Sequence, residues 1–224
     1  MTRSALISLF DTAFPFWKTM SALDQETFLR TSFEKTFPKG ATIHGGNECT
    51  GVILVRSGSL RVYMLSGEGK EITLYRLFAG DLCILSASCV LDAITFDVFV
   101  DAEEMSECVI VGGCAFEDVA RRLPDAKIFA LEMAVSRYSD VMWVMHQILF
   151  MSMDKRLAIF LLDEAAASGT DTVKLTHEQI AKYMGSAREV VSRMLKYFSE
   201  EELISASRGG IKLLDKKRLR QLTL

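Results

Sequence analysis

The stretch Leu175 to Ile204, LTHEQIAKYMGSAREVVSRMLKYFSEEELI, constrains this chain more than any other. Thr176 stands three residues ahead of Gln179. That is the spacing of a capping box, in which two side chains satisfy free backbone amides at a helix start. Ile180, Ala181 and Met184 then give the helix one apolar face. Gly185 follows at once, where a chain leaving a helix takes a left-handed backbone that costs other residues more. Ser186, with Glu189 three residues on, is placed to cap a second helix, whose buried stripe is Val190, Val191, Met194, Leu195 and Phe198.

Two short helices about a tight turn, with Ala181 small enough for close crossing, match a DNA-reading motif. The second helix has a polar face of Arg188, Glu189, Ser192, Arg193 and Lys196. Arginine bonds guanine bidentately, glutamate accepts from cytosine, and lysine and serine reach phosphates. An ordinary amphipathic helix pair with a solvated charged face, in which Glu189 only caps, shows the same spacing. The next residues favour DNA. Leu203-Ile204 starts a short strand, Ser207 to Gly210 makes a turn, and Ile211 to Leu214 alternates like a returning strand. Such a hairpin is a wing, with Arg208 at its tip facing a phosphate. Charge agrees: residues 174–224 hold 11 Lys/Arg against 6 Asp/Glu, whereas residues 1–173 hold 15 against 23. A basic end on an acidic body suits a nucleic-acid contact made by one end only.

Upstream the pattern changes twice. Residues 1–35 read as short amphipathic helices, with an aromatic bend at Phe14-Pro15-Phe16-Trp17 and a helix from Ser21 through Phe33. From Phe37 come short strands punctuated by glycine: Thr42 to His44, Val52 to Val55, Leu60 to Leu65, Glu71 to Leu77, Phe96 to Val100 and Cys108 to Val111. Closely spaced strands of this kind predict an antiparallel sandwich or barrel. After Pro124 a breaker-free run, Asp125 to Phe150, predicts one long helix. Its apolar positions Ile128, Leu131, Val135, Tyr138, Met142, Met145 and Leu149 step by 3 and 4 in turn, the heptad seam of a two-stranded coiled coil. The opposite side (Phe129, Met133, Trp143, Ile148, Phe150) is also apolar, so one side is expected to pack on its own chain and the other on a second copy. Met151 to Asp154 is the expected hinge, followed by a helix from Asp154 to Ala167 that Ser168-Gly169 ends.

Here a resemblance becomes specific. The string Leu175 to Ile204, then SRGGIKLLD, resembles the C-terminal domain of the Crp/Fnr family of bacterial transcription regulators. Gly51 to Val62, GVILVRSGSLRV, followed by Phe78-Ala79-Gly80-Asp81, resembles the cyclic-nucleotide-binding β-roll of the same family. The resemblance implies an α+β fold: a jelly-roll-like antiparallel β-roll for effector sensing over residues 1–124, a dimerisation helix and hinge over 125–152, and a winged helix-turn-helix over 153–224. It implies a homodimer on a near-palindromic operator in double-stranded DNA, with RNA polymerase as a further partner. By the same resemblance Arg188, Glu189 and Arg193 occupy the base-reading positions, while Thr176, Ser186, Ser192, Lys196 and Arg208 serve the remaining DNA contacts.

The effector is where the chain departs from its family pattern. Members that bind cyclic AMP use a Gly-Glu pair and then an Arg-Ser or Arg-Thr step against the cyclic phosphate. Here Gly80-Asp81 keeps the first with a shorter acid, but no Arg occurs between Arg76 and Arg121. A phosphate left there without a cation is under-compensated. The expected pocket, Gly80, Asp81, Leu82, Cys83, Ile84, Leu85, Ala87, Cys89 and Phe96, suits an apolar or weakly polar effector, haem included. An alternative is a redox-, haem- or metal-responsive regulator that uses Cys83 and Cys89; the plainer reading makes both small buried hydrophobes. Cyclic-nucleotide control is a further alternative.

Other classes find less support. The three histidines, His44, His146 and His177, are far apart in sequence, and no phosphate loop or nucleophile elbow is present, so no enzyme and no metal site is expected. Five scattered cysteines do not make a disulfide framework. No charged-then-apolar leader opens the chain. The longest uncharged apolar-rich run, Val141 to Met153, is 13 residues, below the roughly 20 a membrane span needs. A cytoplasmic location is expected. The rival from another class is a ligand-binding module that no longer binds DNA.

Overall fold

The computed structural model describes residues 1–46, 49–87 and 96–223. It divides into two units, residues 1–68 with 74–141 and residues 69–73 with 142–224.

In the first unit the short strands form two four-stranded antiparallel sheets. Strands β1 (Phe33–Phe37), β2 (Thr42–Gly45), β3 (Val52–Ser57), β4 (Leu60–Leu65), β5 (Glu71–Leu77), β6 (Leu82–Cys83), β7 (Phe99–Ala102) and β8 (Ser106–Val111) pair in the orders β1-β8-β3-β6 and β2-β7-β4-β5. The four apolar residues that open β3, Val52 to Val55, are buried on both faces, as a continuous apolar run requires of a central strand. Two glycines hold corners that no side chain fits. A Cβ on Gly51 would lie 2.2 Å from the Val111 carbonyl oxygen, and one on Gly58, between β3 and β4, would lie 2.4 Å from Ser106 Oγ. At Gly58 the chain passes from one sheet to the other.

Helices α1 (Arg3–Ala13) and α2 (Ala22–Thr31) close one end of this core with aromatic rings. Phe10, Phe14, Phe16, Trp17 and Phe28 are buried, and Phe14, Phe16 and Phe28 meet Phe116 on α3 (Gly113–Arg122), with centroid separations such as 5.5 Å for Phe10–Phe14 and 5.8 Å for Phe28–Phe116. Aromatic pairs in favourable geometry add about 0.5–1.5 kcal/mol each beyond their area burial.

Two boundaries differ from the sequence expectation. The helix expected to reach Phe33 ends at Thr31, and Phe33 opens β1 opposite Ile110. The strand expected at Phe96 to Val100 is Phe99–Ala102 instead. Its inward residues are Val100 and Ala102, and the intervening Asp101 accepts a hydrogen bond from Thr42 Oγ1 at 2.8 Å. A charged residue that ordinarily disfavours strands is thus satisfied at the sheet surface.

Helix α4 runs from Pro124 to Phe150 with proline in its first turn, where the missing amide costs nothing. Phe129, Met133 and Val141 pack on the core of the first unit. The chain leaves the helix at Met151-Ser152, and α5 (Met153–Ser168) ends on left-handed Gly169. Beyond it lie β9 (Thr172–Val173), α6 (His177–Met184), α7 (Arg188–Glu200), β10 (Ile204–Ser207), β11 (Gly210–Leu213) and α8 (Lys216–Leu222), with the strands ordered β10-β11-β9. Their shared core is Leu157, Leu161, Ile180, Val191, Leu195, Phe198, Leu203, Ile211, Leu213 and Leu219. Among the described residues no helix is long and apolar enough to cross a membrane.

Candidate nucleic-acid interface

The capping box at the start of α6 is closed from both sides. Thr176 Oγ1 accepts from the Gln179 amide at 3.1 Å, and Gln179 Oε1 accepts from the Thr176 amide at 2.8 Å. At its other end Gly185 is left-handed (φ 59°, ψ 40°), and the Ser186 amide donates to the Ala181 carbonyl at 2.9 Å. Arg156 of α5 donates through Nη2 to the Met184 carbonyl, which fixes α6 against the helix beneath it. Thr176→Ala removes one half of the box and is expected to cost about 1 kcal/mol. Chemical denaturation of the purified chain, without DNA, measures it.

Ser186 does not cap α7. The residue at the cap is Ala187, no side chain accepts there, and Ser186 Oγ instead faces Met153 Sδ at 3.9 Å. The left-handed turn at Gly185 carries Ser186 inward, so the next residue starts the helix. The buried stripe is Val191, Leu195 and Phe198, with Val190 and Met194 at its margins.

Opposite that stripe Arg188, Glu189, Arg193 and Lys196 are exposed. Lys196 Nζ stands 3.7 Å from Glu200, one helical turn on. Ser192 is half-buried, and its hydroxyl is 2.9 Å from His177 Nδ1. The domain itself therefore uses Ser192 in part. Arg208 projects from the wing turn, whose shape is set by the Gly209 amide donating to Ser207 Oγ at 3.2 Å. Lys174, Thr176, His177, Arg188, Ser207 and Arg208 line one groove of about 540 Å³ between α6, α7 and the wing. Four of these six carry donors on long or basic side chains, the chemistry a phosphate backbone requires. Sequence reasoning singled out neither Lys174 nor His177; the only available signal for Lys174 was its place at the head of the basic segment.

The residues expected around an effector are partly brought together. Leu82, Cys83, Ile84, Leu85 and Ala87 are buried in one segment. Gly80 takes a left-handed φ of 96°, and the Asp81 carboxylate accepts the Phe78 amide at 2.8 Å, so this acid closes a turn. Phe96 is 44% exposed. Cys89 lies outside the described residues. Cys83 is a free thiol, fully buried, and burial pushes its pKa up, as for a small buried hydrophobe. Cys49, not Cys83, is disulfide-bonded. Among the described residues no three His, Cys, Asp or Glu side chains cluster to hold a metal. His44 is a buried member of β2, in the strand expected there, and lies 2.8 Å from Thr50 Oγ1.

Along α4 all seven seam residues are exposed in the single chain, from 41% at Met142 to 67% at Val135. Trp143, Ile148 and Phe150, on the other side, are exposed as well.

Residues 155–222 match the Crp-like helix-turn-helix domain family. A solved structure described as a transcriptional regulator of the Crp/Fnr family, from Eubacterium rectale ATCC 33656, is 43% identical, covers 94% of this chain and 98% of its own, and superposes with a TM-score of 0.90. The transcriptional regulator flp of Lacticaseibacillus casei is 24% identical over 206 residues, 90% of this chain and 92% of that protein. The cAMP-activated global regulator CRP of Pasteurella multocida is 24% identical over 188 residues, 81% of this chain and 90% of that protein. A β-roll of two four-stranded sheets, a long helix and a winged helix-turn-helix accompany these similarities, and the chain belongs to the Crp/Fnr family of transcriptional regulators.

Proposed function

We propose that this regulator binds a near-palindromic operator as a homodimer joined along α4, under the control of a small effector held by the β-roll. The observation that carries the reading is the shared groove: the exposed face of α7 and the wing tip Arg208 open on one side of one domain. Arg188, Glu189 and Arg193 read base edges, with Glu189 accepting from cytosine N4. Thr176, Lys196, Arg208 and, after release from His177, Ser192 contact the backbone; Ser186 is engaged within the domain, its amide on the Ala181 carbonyl and its hydroxyl on Met153. Two recognition helices about 34 Å apart enter successive major grooves.

In this reading residues 1–124 sense the effector, 125–152 join the two copies and 153–224 bind DNA. The protein is not an enzyme, works in the cytoplasm and meets RNA polymerase once bound. Cyclic AMP is not its effector, because Asp81 is engaged in a turn and residues 77–120 contain no arginine. A calorimetric titration with cyclic AMP giving micromolar binding that is lost in Asp81→Ala would reverse that point. A gel shift on the DNA upstream of its own gene tests the whole: a salt-sensitive, competitor-resistant shift is expected, and none at low salt would leave a ligand-binding module without DNA binding.

Arg208→Ala is expected to act differently from a base-reading change. It removes one phosphate contact, so the slope of log affinity against log salt should fall by about 0.9 on specific and random DNA alike. Anisotropy titrations across a salt series measure both slopes.

A further inference from the structure

In the first unit, β5 and α4 bring together a polar cluster that the DNA-binding domain does not use. Tyr75 on β5 is only 8% exposed, and the Arg137 guanidinium of α4 stands 4.9 Å from the centre of its ring. Nη1 of Arg137 pairs with Asp140 at 3.1 Å. Its Nε is buried without a hydrogen-bond partner among the described residues, and the buried Tyr75 hydroxyl has none there beyond a weak interaction with the Cys83 thiol. The Cys83 thiol of β6 is the hydroxyl's polar neighbour, and a thiol is a weak donor and a weak acceptor. Burial pushes both the phenol and the thiol up, so both stay neutral at pH 7.

Folded proteins pair nearly all their buried donors, and two orphans on facing side chains call for a common partner. We propose that Arg137 and Tyr75 form the polar end of the effector site and take the carboxylate of a small, largely apolar organic acid. The proposal rests on the reading of the β-roll as the effector-sensing half. An Nε–H and a neutral hydroxyl both donate, which selects an acceptor, and the guanidinium selects an anion. Asp140 already offsets part of the single positive charge, so one negative charge is compensated here and a phosphate dianion is not. The neighbouring Leu82, Ile84 and Leu85 are buried and apolar, and suit the hydrocarbon end of such an acid. Arg137 adjoins seam residue Tyr138 on the same helix. A ligand that draws its guanidinium away from Asp140 therefore acts on the helix that joins the two copies.

The test uses full-length protein in calorimetric titrations with benzoate and hexanoate, alongside benzamide, hexanamide and inorganic phosphate. The carboxylates are expected to saturate in the millimolar range or below, with the amides and phosphate at least about tenfold weaker, since charge-assisted bonds exceed neutral ones by that much. Arg137→Gln and Tyr75→Phe should each weaken carboxylate binding about ten- to hundredfold, and Arg137→Lys less than Arg137→Gln. Tyr75→Phe removes a buried hydroxyl held only weakly by the Cys83 thiol, so the unliganded melting temperature should change little, which separates lost binding from lost folding. No saturation by either carboxylate, equal binding of acids and amides, equal binding of phosphate, or full binding by Arg137→Gln each overturns the proposal. The DNA affinity of unliganded Tyr75→Phe is measured in parallel. If it stays at the wild-type value while carboxylates fail to bind, the effector site is wrong and the DNA-binding reading stands.

Discussion

Replacing Met142 by glutamate is expected to turn the homodimer into monomers and to weaken binding to a two-half-site operator by at least about a hundredfold. Seven apolar residues recur along α4 at alternating steps of 3 and 4, and every one is exposed in the single chain. A protein rarely leaves so large an apolar stripe to water unless another surface covers it. Met142 is two-thirds of the way along the stripe and 41% exposed, so a partner helix would cover much of what remains. In a two-fold arrangement each seam residue faces its own copy, and Met142→Glu sets two carboxylates against each other. Burying such a pair without a cation costs several kcal/mol, more than a rim contact can restore. Light scattering should then give a mass near 25 kDa rather than twice that. A single half-site should bind the variant and the wild type alike, because only the linkage between half-sites is lost. Unchanged mass with unchanged operator affinity would remove α4 as the dimer contact.

The DNA-binding half was legible because its signals are local. The capping box, the left-handed glycine and the stripe of α7 all lie within a few residues of their partners, and each forms. Errors arose where a second element decides. The spacing from Ser186 to Glu189 fits a capping box, yet the turn before it and Met153 of another helix take the serine away. His177 reads as an ordinary first-turn residue until α6 and α7 cross and bring its ring to Ser192. Strand β9 is two residues long and has no periodicity to detect; it exists because β11 offers it an edge. In the β-roll the same limit hid a cation. No arginine occurs between Arg76 and Arg121, whereas Arg137 reaches Tyr75 from α4, some sixty residues later in the chain. Its neighbours in sequence mark only the seam.

Arg188→Ala is expected to cost about 1–3 kcal/mol on the specific operator and to relax preference at a single base pair. Arg188 opens α7, is exposed, and borders the groove it shares with Thr176 and Arg208. The N-terminal residues of a recognition helix are those that enter the major groove, and a guanidinium there can hold two acceptors of one guanine at once. Alanine cannot hold either, and the guanine edge then goes unpaired beneath the helix. Random DNA offers no such register, so its affinity should fall only by the share of one positive charge. Lys196→Ala is the internal contrast. Its ammonium is already shared with Glu200, and it serves the backbone, so its loss should be small and the same on every sequence. Competition titrations with operators substituted one pair at a time separate the two behaviours. If Arg188→Ala weakens specific and random DNA equally, the side chain is a phosphate contact, and base reading passes to Glu189 and Arg193 one helical turn apart.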